Sequence, residues 1–72
     1  MKLTPTDKLI LKQAIDDGGA VVLNGLDMHE GWTRRHMNRA IELANEGYGN
    51  LRPVGMREWE FKINSEGRKL VE

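Results

Sequence analysis

Three arginines and two side-chain amides recur through residues 32–47, W-T-R-R-H-M-N-R-A-I-E-L-A-N-E-G, at spacings that gather them on one side of a helix. At about 100° per residue, Arg34, Arg35, Asn38, Arg39, Glu42 and Asn45 project together. Met37, Ala40, Ile41 and Ala44 fall within an apolar arc of roughly 100°, continued by Tyr48. A guanidinium makes paired hydrogen bonds to phosphate or to a guanine edge, and a carboxamide makes them to an adenine edge. The chemistry on offer is therefore recognition of anions and bases, without bond making. A charged helix face is also the ordinary solvated side of a surface helix, so its meaning depends on the surrounding chain.

The other reactive residue types do not assemble into sites. His29-Glu30 and His36 are separated by Gly31 and a helix start, whereas H-E-x-x-H requires both histidines on one helical face, so no metal site is expected. Gly47-Tyr48-Gly49 follows a helix and lacks a third glycine, which makes it a helix stop and not a dinucleotide fingerprint. Asp16-Asp17 diverge at a helix end, and Glu58 and Glu60 alternate along a solvated strand face, so neither pair can flank a substrate as acid and base. With no nucleophile–base constellation and little room for a pocket, neither an enzyme nor a cofactor is expected. Trp32, at the helix start, and Trp59, on an apolar strand face, are expected in the core.

Seventy-two residues allow one domain, spanning 1–72, with one small core. The absence of cysteine excludes disulfides, thiolate metal ligands and thiol nucleophiles, and fits a reducing compartment. There is no secretory signal pattern and no membrane-length apolar run, so a soluble cytoplasmic chain is expected. Net charge is zero, but it is unevenly spread. Residues 1–31 hold three lysines against five acids, 32–57 five arginines against two acids, and 58–72 three bases against four acids. The basic charge is central and is entirely arginine.

The elements that must position this surface can be read in order. Thr4-Pro5-Thr6-Asp7 starts a helix with a cap, a proline in the first helical position and a box-like acid. Ile10, Leu11, Ala14 and Ile15 form its buried stripe, and Gly18-Gly19 stops it. Leu9 lies outside the stripe and is expected to pack under a neighbouring loop. Ala20-Val21-Val22-Leu23 is a brief strand, and residues 24–31 hold at most a turn or two of helix. The helix at 33–46 follows, with Thr33 as cap and Gly47 as stop. Residues 49–54 and 58–63 form a hairpin around a turn at 54–57, with Pro53 marking an edge. Trp59, Phe61 and Ile63 alternate inward. Asn64 or Ser65 caps a short last helix, from which Leu70 and Val71 close over the core.

This order resembles the winged helix-turn-helix domain over nearly the whole chain. A-I-E-L-A-N-E-G-Y-G-N-L-R-P-V resembles the end of a recognition helix running into a first wing strand. F-K-I-N-S-E-G-R-K-L-V resembles the last wing strand with the T-x-x-G-R-x-L-type phrase of MarR-like and PadR-like regulators, with Asn64 where those have threonine. The resemblance implies an α+β fold of order α-β-(α)-α-β-β-α, a three-helix core with a short antiparallel sheet and a hairpin wing at 50–62. It also implies sequence-specific binding of double-stranded DNA by a small transcriptional regulator. The helix at 33–46 would lie in the major groove, with Thr33, Arg34, Arg35, Asn38 and Arg39 near bases and phosphates and Arg52 and Arg57 on the wing. Gly25 and Gly31 weaken the family's second helix, and no length remains for its terminal dimerisation helices. A weak homodimer or a protein partner is thus also foreseen. The alternative is a winged-helix protein–protein module, such as a phage or mobile-element protein that inhibits a host factor.

Overall fold

The computed structural model describes residues 2–24 and 34–72. Within them lie α1 (Pro5–Asp16), β1 (Ala20–Asn24), α2 (Arg34–Asn45), β2 (Gly49–Gly55), β3 (Glu58–Ile63) and α3 (Ser65–Lys69). Among these residues the architecture is a small α+β domain of three helices on a three-stranded antiparallel sheet ordered β1-β3-β2. None of the described helices is long and apolar enough to cross a membrane. The expected second helix of the motif, Trp32 and Thr33 fall outside the described residues.

Helix α1 starts as its sequence requires. The Asp7 amide donates to Thr4 Oγ1 at 3.1 Å, and the Thr4 amide donates back to Asp7 Oδ2 at 2.9 Å, so two otherwise orphaned donors are satisfied reciprocally. Both α1 and α2 end in the same way. Gly18 and Gly47 hold φ of 86° and 90°. The residue after each glycine donates back into the last turn, Gly19 to the Ala14 carbonyl at 2.7 Å and Tyr48 to the Leu43 carbonyl at 3.0 Å.

Strand β3 is central. It pairs with β1 from Ala20↔Lys62 to Asn24↔Glu58, and with β2 from Gly49↔Ile63 to Gly55↔Glu58. The register puts Val21, Leu23, Leu51, Phe61 and Ile63 on one face. There they join Ile10, Leu11 and Ala14 of α1 and Ala40 and Leu43 of α2 in a single core, with Leu70 and Val71 packed at its margin. Edge strand β2 carries Pro53 and a bulge between Pro53 and Gly55, both of which blunt an edge against further pairing. The turn is tighter than its sequence implies: β2 runs on to Gly55, and Met56 and Arg57 alone reverse the chain.

Three packing expectations require correction. The buried stripe of α2 is Ala40 and Leu43 flanked by Met37 and Ala44, while Ile41 is 42% exposed. The helix is rotated so that Arg39 faces α1, and Leu43, one turn beyond Arg39 on the same side, comes inward as Ile41 turns out. Trp59 shares the inner face with Phe61 and Ile63 but stays 37% exposed, because it lies at the hairpin end of β3 beyond the centre of the core. Leu9 is 49% exposed, where a covered position was expected.

The last helix is seated by Asn64 and Gly67. Asn64 Oδ1 accepts from the Gly67 amide at 2.8 Å, capping α3, and its Nδ2 donates to the Gly47 carbonyl at 2.8 Å. Threonine could cap in the same way but has no second polar arm for Gly47. Gly67 is buried, and a Cβ added there would overlap the Tyr48 carbonyl and lie 2.7 Å from Ile63 Cγ1. Gly67→Ala is therefore expected to lower stability by about 1–3 kcal/mol, read as a drop in the urea midpoint at constant slope. A neutral substitution would mean that α3 is not held against Tyr48.

Candidate nucleic-acid interface

The predicted surface divides into residues that are free to meet a ligand and residues already engaged by the fold. Arg34, Arg35 and Asn38 are exposed on α2, with Ile41, Glu42 and Asn45 further along the same outer side. Arg39 is not equivalent to them. Its Nε donates to Asp7 Oδ1 at 2.7 Å and its Nη2 to Asp7 Oδ2 at 3.0 Å, a bidentate pair between α2 and α1. The Asp7 side chain is 0% exposed, while that of Arg39 is 29% exposed. Burial pushes the Asp7 carboxyl upward, but the Arg39 hydrogen bond, the Thr4 bonds and the Arg39 charge together hold it below its ordinary value of 3.8. The hydrogen bond to Asp7 raises Arg39 in turn, against a smaller effect of desolvation. The local pattern around Asp7 predicts only a cap, and 32 positions separate it from Arg39, beyond any local pattern.

On the hairpin, Arg52 lies opposite Glu60 and donates to its Oε1 from Nε at 2.9 Å, with its side chain 70% exposed. Arg57 closes the turn with φ of 64° and is exposed. That backbone region costs a residue with a side chain about 1–2 kcal/mol, and turns of this kind usually recruit glycine or asparagine. The solvated face of the sheet carries a depression of about 360 Å³ lined by Ala20, Asn50, Arg52, Glu60 and Lys62. It lies on the opposite side of the sheet from the core.

The electrostatics of α2 run against its dipole. Its first turn has no acid and contains Arg34 and Arg35, and its last turn has no base and contains Glu42. The first turns of α1 and α3 carry Asp7 and Glu66, and the last turn of α3 carries Arg68 and Lys69. A favourable charge at a helix terminus is typically worth about 0.3–1 kcal/mol at low ionic strength, so α2 forgoes the first-turn acid that the other two helices use, while its last turn, like that of α1, has no base. The described start of α2 thus carries two arginine charges at the helix end where the dipole is positive. Comparison with protein families, curated proteins and solved structures finds no match to this chain.

The buried pair predicts a pH signature. Asp7 has a depressed folded-state pKa, so its stabilisation is fully present above about pH 4 and is lost as pH falls through the folded value. Asp7→Asn keeps an acceptor for the Thr4 amide but removes the charge. It should lower stability by about 2 kcal/mol at neutral pH. The gap from the parent should close as both are titrated below about pH 4 in chemical denaturation. A gap that persists unchanged in acid would show that the loss does not come from the Asp7 charge.

Proposed function

We propose that this chain binds double-stranded DNA as a winged helix and acts as a small transcriptional regulator, with α2 in the major groove and the β2–β3 hairpin as the wing. The element order and the β1-β3-β2 sheet are compatible with that fold, and no identified relative supports the assignment. The observation that carries the reading is the charge pattern of α2, in which two arginines occupy the turn where acids would be most stabilising. Such a placement is costly unless an anion meets it, and the first residues of a groove-lying helix are those that reach bases and phosphates.

In this reading Arg34, Arg35 and Asn38, with Thr33 before them, contact the duplex from α2, and Arg57 contacts it from the wing. Arg52 contributes through the nitrogens left free by Glu60. Arg39 serves mainly by fixing the rotation of α2 through Asp7. With the flanking segments 1–31 and 58–72 both net acidic, binding depends on few phosphate contacts and is sensitive to salt.

A gel-shift series across salt tests this together with thermal denaturation. Arg34→Ala with Arg35→Ala should abolish binding at moderate salt and reduce the slope of log K against log salt by about 2 where binding persists. The same double variant should melt at or slightly above the parent temperature, because it relieves the unfavourable helix-terminal charge. Failure of the parent to shift any duplex at low salt would overturn the reading. A stoichiometric protein partner lost in the same variant would then move the surface to protein recognition.

A further inference from the structure

The hairpin apex carries two adjacent residues whose placement costs stability. Met56 is 87% exposed, the most open large apolar side chain among the described residues. Arg57 beside it is the one non-glycine residue with positive φ among them. An Asn-Gly or Asp-Gly turn would close the hairpin with less strain and no exposed apolar surface. Neither nearby acid forms an ion pair with Arg57 among the described residues. The Glu58 carboxylate is folded against Gly55, where an added Cβ would meet its Oε1 at 2.7 Å, and Glu60 is held by Arg52. The bulge at Val54 breaks the regular pairing just before the apex, which increases local bending and twist of the strand.

We propose that Met56 is a wedge: in the DNA complex argued above, on which this inference rests, the apex enters the minor groove, Met56 inserts between two base pairs and Arg57 meets the adjacent backbone. Size favours this occupant over a protein. A stable protein interface buries about 1,200 Å² or more, which Met56 and Val54 on a narrow turn do not supply. Unstacking one base step requires a single apolar side chain, and methionine is among those used for it. At the apex Arg57, in no ion pair among the described residues, offers a cation to a backbone phosphate beside the apolar tip, with the Glu58 carboxylate turned toward Gly55. The expected consequence is a kink of roughly 20–90° toward the major groove, with preference for easily unstacked TA and CA steps.

The test uses the full chain and a duplex of about two helical turns carrying TA and CA steps, with a fluorescent adenine analogue at successive positions and a donor–acceptor pair on its ends. The parent should brighten the analogue at one step and shorten the end-to-end distance. Met56→Ala, at protein concentrations that saturate the duplex, should lose both signals while keeping the parent's salt slope. Met56→Leu should retain both. Bound duplex without local brightening, or brightening that survives Met56→Ala, would overturn the wedge while leaving DNA binding intact. Absence of any binding by the parent would overturn DNA recognition itself and the wedge with it. Self-association or protein capture that depends on Met56 in the absence of those signals would assign the apex to a protein contact instead.

Discussion

The buried carboxylate of Asp7 is the constraint around which the helices are set. A carboxylate without solvent exposure must have its lone pairs occupied or its charge neutralised. Here one oxygen accepts from Arg39 Nε, and the other from Arg39 Nη2 and the Thr4 amide. Those partners come from the cap of α1 and the middle of α2, so satisfying one group fixes both the start of the first helix and the rotation of the second. Apolar residues of similar volume can match a buried ion pair in stability. They would not demand a particular rotation as a bidentate fork does, because apolar contact is not directional. This rotation presents Arg34, Arg35 and Asn38 to solvent and brings Leu43 into the core.

A second tie holds the far end of α2. The Asn64 amide caps α3 with its oxygen and holds the Gly47 carbonyl with its nitrogen, while the Asn64 backbone amide donates to the Tyr48 carbonyl at 3.3 Å. One residue thereby joins the stop of α2, the end of β3 and the start of α3. The close approach of Gly67 to Tyr48 completes that junction from the other side. Fixed at its middle and at its end, α2 has a defined angle to the sheet. The hairpin is the less constrained arm, since beyond Trp59 its side chains lie largely in solvent.

Local chemistry made much of this legible from the chain alone. The Thr4–Asp7 box, the glycine stops at 18 and 47, the alternation through Phe61 and Ile63 and the Asn64 cap are each decided within a few residues, and each has the expected partner. What escaped was decided at a distance. Periodicity placed Ile41 and not Leu43 in the core because α2 is apolar over a wide arc, and the choice within that arc was made by an aspartate in another helix. Trp59 looked like core because alternation says which face a residue takes, without saying how far the helices extend over that face. For the same reason local spacing does not separate Arg39 from Arg34 and Arg35, although of the three only Arg39 has its guanidinium occupied by a buried acid.

These distinctions bear on function through the contrast between sites that follow the rules of stability and sites that depart from them. Caps, helix stops, the seat of Gly67 and the satisfied Asp7 show a sequence that meets local requirements throughout its interior, down to the absence of unpartnered buried side-chain polar atoms among the described residues. Against that background, arginines in the first turn of α2, an arginine in a left-handed turn position and a methionine left in solvent do not read as general looseness. All three are surface choices that a stability-driven sequence would replace by acid, glycine and a polar residue at no cost to the core. Two of them place positive charge and the third an apolar tip, on the two elements that a winged helix would present to a duplex. A polyanion with separable stacked bases is one ligand that would compensate all three departures together, through phosphate contacts for the arginines and an unstacked base step for the methionine.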